Sequence, residues 1–143
     1  MGSVSLDDIS VTPLKRIAVS GGDVLHVMKH SEDGFAGFGE AYFSQVVSGA
    51  VKAWKRHRQM TLNLVVPIGE VHFIFIDSTG SIREEKIGDG NYARLTVPPS
   101  IWFGFKGVSK SISLLLNIAD IEHMPDEVER KELCDIKYDW SAI

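Results

Sequence analysis

Apolar and polar residues alternate with a period of two along most of the chain, and the alternating runs are short. Tyr92 to Val97 shows it best: Ala93, Leu95 and Val97 fall on one face, and Tyr92, Arg94 and Thr96 on the other. Successive strand side chains point to opposite faces, so this pattern predicts a strand with one buried side. Comparable runs predict strands over Val46–His57, Met60–Val66, Glu70–Asp77, Ile82–Ile87, Ile101–Phe105 and Ser111–Ile118, with shorter ones at Ile17–Val19 and Val24–Met28. Turn residues separate them: Ser20-Gly21-Gly22-Asp23, Pro67-Ile68-Gly69, Asp77-Ser78-Thr79-Gly80, Gly88-Asp89-Gly90-Asn91 and Pro98-Pro99-Ser100. One short helix is expected over Pro125–Leu133, with Pro125 suited to its first turn and Asp126 to Glu132 as a solvated face. Many short strands punctuated by Gly and Pro imply an all-β sandwich or barrel, and a double-sheet jelly roll accommodates them.

With 143 residues and no repeat, low-complexity tract or linker, residues 1–143 read as one domain able to bury a core. Hydrophobic residues make up 44% of the chain. The net charge is −4, and with a pI near 5.7 the broad basic surface of a nucleic-acid binder is not expected. Lys52, Lys55, Arg56 and Arg58, with His57 among them, form the densest cationic run; it is either a solvated strand end or an anion site. Cys134 is the lone cysteine, which rules out an internal disulfide and points to a reducing cytoplasm. Acidic neighbours and the lack of an adjacent histidine argue against Cys134 as a nucleophile. No apolar run approaches the roughly 18 residues of a membrane span, and the amino terminus has no signal pattern. Met1-Gly2 hints at N-myristoylation, but Leu6 stands where that signal wants Ser or Thr.

The stretch Gly49–Gly69 has the spacing of the first cupin motif: Gly, five residues, His, one residue, His, four residues, Glu, six residues, Gly. Here the frame reads Gly49, Lys55, His57, Leu62, Gly69. A cupin metal site needs two His and a carboxylate from this motif and a further His from the second; with Lys55, Leu62 and Phe103 at three of those places, no metal is expected. His26, His30, His72 and His123 show no ligand spacing either. His72 alternates with Ile74 and Ile76 on a strand.

Five further blocks, spread over roughly residues 35–140, resemble the dTDP-4-dehydrorhamnose 3,5-epimerase family of the cupins. They are Phe38 to Ser44, Lys52 to His57, Gly69-Glu70-Val71 through Asp77, Leu95 to Pro99 with Phe103-Gly104-Phe105, and Leu116-Asn117-Ile118 with Ile136 to Trp140. The resemblance implies a jelly roll holding a nucleotide-linked 4-keto sugar, a homodimer exchanging strands between sheets, and no cofactor. It also implies proton removal beside a ketone by a histidine held by an aspartate, with a tyrosine as acid. In this chain Lys55 takes the base position, Leu116 the acid position and Phe103 the place of a second pocket histidine, while Leu62 aligns near an enolate-holding lysine.

The remaining polar residues then become candidates. Lys55 and His57 share one face of a strand. A buried lysine loses affinity for its proton, so either of them could be the base, or Lys55 could hold a carbonyl or phosphate oxygen. The alternative for both is structural: Lys55 paired with an acid, and His57 bonded within the barrel wall. Tyr42 could supply a phenolic proton or be a buried structural tyrosine. Asp135 falls near the family's orienting aspartate and is a possible partner of Lys55. Lys52 and Arg83 are candidates for a diphosphate, against an exposed loop role for Arg83. Trp54 and Trp102 could stack on a base or sugar, or belong to the core. Phe103 and Asn117 complete the expected substrate contacts.

The leading reading is an epimerase or isomerase acting on a dTDP-4-keto-6-deoxyhexose or a similar activated sugar in polysaccharide or glycoconjugate synthesis. Two others stand beside it: a non-catalytic member that binds a sugar nucleotide or related anion and assists a partner enzyme, and an enzyme on an unrelated small molecule.

Overall fold

The computed structural model of the protein describes residues 4–143; Met1-Gly2, the start of the acylation pattern, lies outside the described residues. Twelve strands follow in chain order: β1 (Ser10–Pro13), β2 (Arg16–Ile17), β3 (Val24–Leu25), β4 (Glu40–Val46), β5 (Val51–His57), β6 (Leu62–Ile68), β7 (Glu70–Ile76), β8 (Ile82–Gly88), β9 (Ala93–Val97), β10 (Trp102–Gly107), β11 (Ser113–Ala119) and β12 (Val128–Arg130). One antiparallel sheet has the order β1-β9-β6-β11-β4, and a second has the order β12-β5-β10-β7-β8. β2 and β3 form a separate small hairpin. The whole is a cupin-like β-sandwich.

The alternation seen in the sequence decides what lies between the sheets. Leu62, Leu64 and Val66 of β6, Ala93, Leu95 and Val97 of β9, Val71, Phe73 and Phe75 of β7, and Phe103 and Phe105 of β10 join one buried cluster. The opposite faces of β5, β7 and β10 do not meet solvent either. Trp54, Ile74, Ile76 and Trp102 pack beneath the carboxyl-terminal segment, against Ile136, Tyr138 and Trp140. One central layer and one flanking layer thus use both sides of the second sheet.

Three expectations are corrected. The predicted strand Val46–His57 is two strands, with Val46 closing β4 and a turn through Gly49, at φ +79°, leading into β5. Pro67 and Ile68 belong to β6, and the turn is made at Gly69. No α-helix occurs among the described residues. Pro125–Leu133 is a 3-10 turn (Pro125–Glu127), then β12, and a second 3-10 turn begins at Leu133. A helix this short is marginal on its own. Extended, the segment pairs Val128, Glu129 and Arg130 with His57, Arg56 and Lys55 and satisfies its backbone groups on β5.

Candidate functional site

β5 delivers Lys55 and His57 into the space between the sheets, while the alternate residues Trp54 and Arg56 point to the flanking layer. His57 is 5% exposed, and its Nδ1 lies 2.7 Å from Glu127 Oε1. Glu127 is as deeply buried. Its other oxygen accepts the backbone N–H groups of Gln59 (3.0 Å) and Met60 (2.9 Å). Burial by itself would raise the Glu127 carboxyl, but the bonds from His57, Met60 and Gln59 outweigh it and hold the group below the usual carboxylate range. A carboxylate can only accept, so Nδ1 carries the hydrogen and Nε2 is left with its lone pair. Nε2 is buried and has no hydrogen-bond partner among the described residues. Burial pushes the imidazole pKa below its ordinary value; Glu127 opposes this, while Lys55 and Arg130 add to it. Burial thus favours the neutral imidazole, and Glu127 favours the tautomer with its hydrogen on Nδ1. Phe103, its ring centroid 6.2 Å away and nearly parallel, covers one side of it.

Sequence reading missed Glu127 and placed it on a solvated helix face. Among Asp126, Glu129 and Glu132 nothing local marks it. Alternation does not find it either, since Glu127 ends the 3-10 turn before β12 and Glu129, two residues on, pairs with Arg56 on the flanking side.

Lys55 has no ion-pair partner among the described residues. Burial, then Arg130 and Lys52, push its pKa down. Asp135 does not pair with it: the Asp135 carboxylate caps its own turn, accepting Glu132 N–H at 2.8 Å. Asp135 does line the mouth of the site.

Two adjoining cavities meet at Ser44, Lys55, Phe103 and Phe105. The inner one, about 40 Å³, lies among Tyr42, His57, Leu62, Leu64, Leu115 and Asn117. The outer one, about 560 Å³, is edged by Lys52, Arg130, Lys131, Glu132 and Asp135. Arg130 and Lys131 are cations that sequence reading did not single out. Together the cavities suit a small ligand whose anionic end faces the mouth. Tyr42 stands on β4, in the sheet opposite His57, and its phenolic oxygen accepts from Asn117 Nδ2 at 3.1 Å.

The other expected contacts lie elsewhere. Arg83 is spent on the amino-terminal segment, donating to the carbonyls of Leu6 (2.7 Å) and Ile9 (2.9 Å) and to Glu85 (2.9 Å). Trp102 sits in the flanking layer with Arg56 and Lys131 over its ring at 4.8 and 4.7 Å. Trp54 borders the outer cavity, but its indole is buried and donates to the Leu133 carbonyl at 3.2 Å. His72 is half-buried and bonds Glu84. Among the described residues no three His, Cys, Asp or Glu side chains converge to hold a metal ion, and no helix is long and apolar enough to cross a membrane.

No protein-family model matches the chain. A probable low-salt glycan biosynthesis epimerase of Haloferax volcanii is 30% identical to it over 150 residues, spanning 96% of each chain. The chain belongs to the dTDP-4-dehydrorhamnose 3,5-epimerase family of sugar epimerases and isomerases. Within that family, the crystal structure of a dTDP sugar isomerase from Desulfovibrio desulfuricans is 34% identical, with a TM-score of 0.90 over 96% of this chain and 93% of that one. A 3,5-epimerase from Legionella pneumophila, solved with dTDP-4-keto-L-rhamnose, is 16% identical and shares the fold, with a TM-score of 0.79 over 96% of this chain and 80% of that one. In this chain the buried histidine on β5 lies two residues after Lys55, and its partner is a glutamate.

Proposed function

We propose that the protein is an epimerase or isomerase of a dTDP-4-keto-6-deoxyhexose or a closely similar activated sugar, serving polysaccharide or glycoconjugate synthesis. The observation that carries this reading is the His57–Glu127 pair, whose Nε2 has no partner and whose imidazole lines one inner cavity together with Tyr42 from the other sheet. His57 Nε2 takes a proton from the carbon beside the ketone. The C–H electron pair becomes the carbon–carbon double bond of an enolate, and the negative charge moves to the former carbonyl oxygen. Glu127 stabilises the imidazolium so formed, and Lys55 stands where a cation can meet the enolate oxygen. In one route Tyr42 returns a proton to the enolate carbon from the opposite face, which inverts a centre; in the other the hydroxyl on that carbon passes its proton to the enolate oxygen and His57 returns its own to the former carbonyl carbon, which moves the ketone by one position. Phe103 shields the reacting centre. Lys52 and Arg130 take the diphosphate at the mouth, where Trp54 and Asp135 complete the rim.

Two features support the finer expectations. β4 is an open sheet edge carrying exposed Phe43, with exposed Phe38 just before it, which favours a homodimer built on that edge. The exposed free thiol of Cys134 favours a cytoplasmic setting.

The decisive measurement follows deuterium by NMR while the protein acts on dTDP-4-keto-6-deoxyglucose in heavy water. Incorporation beside the ketone is expected, falling about 10²- to 10⁴-fold in His57→Ala. Calorimetry with dTDP should show weaker binding in Lys52→Ala and Arg130→Ala. Binding without exchange would favour the non-catalytic reading, and neither binding nor exchange would refute the proposal.

A further inference from the structure

Three cations share the cavity side of the β5 edge. Arg130 and Lys55 are cross-strand partners in the register of β12 on β5, so their side chains take the same face. Lys52, three residues before Lys55, would face the other way on a regular strand. A bulge brings it back: Lys52 pairs with Phe105 and Lys55 with Phe103, with one more residue on β5 than on β10 between them. All three cations line the outer cavity.

Like charges directly opposite one another on a sheet repel. Among the described residues none of the three has an ion-pair partner. The nearby carboxylates are engaged elsewhere: Glu127 with His57, Gln59 and Met60, Glu129 with Arg56, and Asp135 with the Glu132 N–H. Glu132 and Lys131 stand at the rim, the ammonium of Lys131 over the Trp102 ring. His57 and Tyr42 border the inner cavity with Lys55, and β10 turns only Phe103 and Phe105 toward it. Lys52, at the mouth, donates to the Gln45 carbonyl at 2.9 Å. Lys55 sits further in, where the two cavities meet. Burial, then the charges of Arg130 and Lys52, work against a proton on its amine, and Glu127 only partly offsets them.

We infer that the substrate's diphosphate switches the site on: by neutralising Arg130 and Lys52 it lets Lys55 take up the proton with which it meets the enolate. The inference rests on the proposed reaction and adds that the nucleotide end acts in the chemical step as well as in binding. The empty site repels a third charge, whereas the occupied site supplies its counter-ion. A free keto sugar brings no such anion and meets Lys55 without that proton.

The test is calorimetry of dTDP-glucose binding to the full-length protein in buffers of different ionisation enthalpy, which counts the protons taken up. This nucleotide sugar has no ketone to react and no titrating phosphate. The measurement is made at about pH 8 to 9, above the ordinary histidine range and below the ordinary lysine value of about 10.4. The wild type should take up a fraction of a proton, to a limit of about one, per nucleotide, and its affinity should weaken as pH rises, by up to about tenfold per unit. Lys55→Arg keeps a cation that does not titrate, so uptake should vanish while dTDP-glucose still binds. If Lys55→Arg fails to fold, Lys55→Met must abolish the uptake in its place. Binding by the wild type without proton uptake, or uptake undiminished in these variants, overturns the inference and leaves the proposed reaction standing. Absence of nucleotide binding overturns it as well, and joined to a lack of exchange on the keto sugar it overturns the reaction too.

Discussion

In the proposed reaction the chemistry at His57 turns on which nitrogen carries the hydrogen, and Glu127 fixes that. Glu127→Gln removes the charge that stabilises the imidazolium and offers an N–H₂ that can face Nδ1 as a donor, favouring the wrong tautomer. Exchange should fall by roughly 10²- to 10⁴-fold, with nucleotide affinity little changed. The pH profile follows from the same pair. The His57 pKa lies below its ordinary value because of burial. Protonation abolishes the base, so activity should be full above the ordinary histidine pKa of about 6.5 and decline only as the pH falls through a lower value. Stability carries the same sign: the unfolded chain binds this proton more readily, so the His57 contribution is complete above that ordinary value and is lost on acidification. A kinetic acid limb at or above the ordinary value would contradict the buried environment. Lys55 was legible as an inward-facing cation with a depressed pKa. Its neighbour Glu127 was not, because burial of a carboxylate is decided by a strand seventy positions away in the chain.

Among the strands, alternation was enough to find seven of the runs that pair in the two large sheets, β5 to β11, since each has one face on the core. It failed at an open edge strand and at a three-residue strand. β4 was not predicted as a strand of its own, because four of its seven residues are exposed and its one fully buried residue, Val46, was read as the start of β5. β12 was taken for a helix because three residues offer too little periodicity. Turns were more dependable. Gly69 joins β6 to β7 at φ +85°, and a Cβ there would come within 2.3 Å of Ser113 Oγ. Gly69→Ala should therefore destabilise the fold by about 2 kcal/mol in urea titration, combining left-handed strain with displacement of Ser113. By contrast, the fork from Arg56 to Glu129 that fastens β12 is about one-third exposed on both sides. Its loss in Arg56→Ala should cost less than about 1 kcal/mol, because backbone pairing and the Trp54–Leu133 bond remain.

For the molecule as a whole, the open β4 edge and its exposed Phe43 and Phe38 make self-association the expected state. Sedimentation should give twice the chain mass, and Phe43→Glu should return it toward the chain mass without loss of the β signature in circular dichroism. A monomeric wild type at micromolar concentration would remove the dimer from this picture. The jelly-roll class was legible as a whole because turn spacing, strand length and the glycine frame all agreed. The site was legible in part: Lys52, Lys55, His57, Tyr42, Phe103 and Asn117 do line the joined cavities. Arg83 and Trp102 do not, since loop position and aromatic character say nothing about which side of a sheet a residue takes.

The pairing of β12 with β5 also has a consequence for the order in which competence is gained. Every residue that lines the inner cavity lies before Ala119, and the first sheet, and the second up to its β5 edge, can be completed without the carboxyl-terminal segment. The folding chain can thus shape its pocket before Glu127 docks on β5. Until that last segment docks, the imidazole has no fixed hydrogen and the mouth lacks Arg130. In the proposed reaction, competence is the final act of folding, after the container is already built.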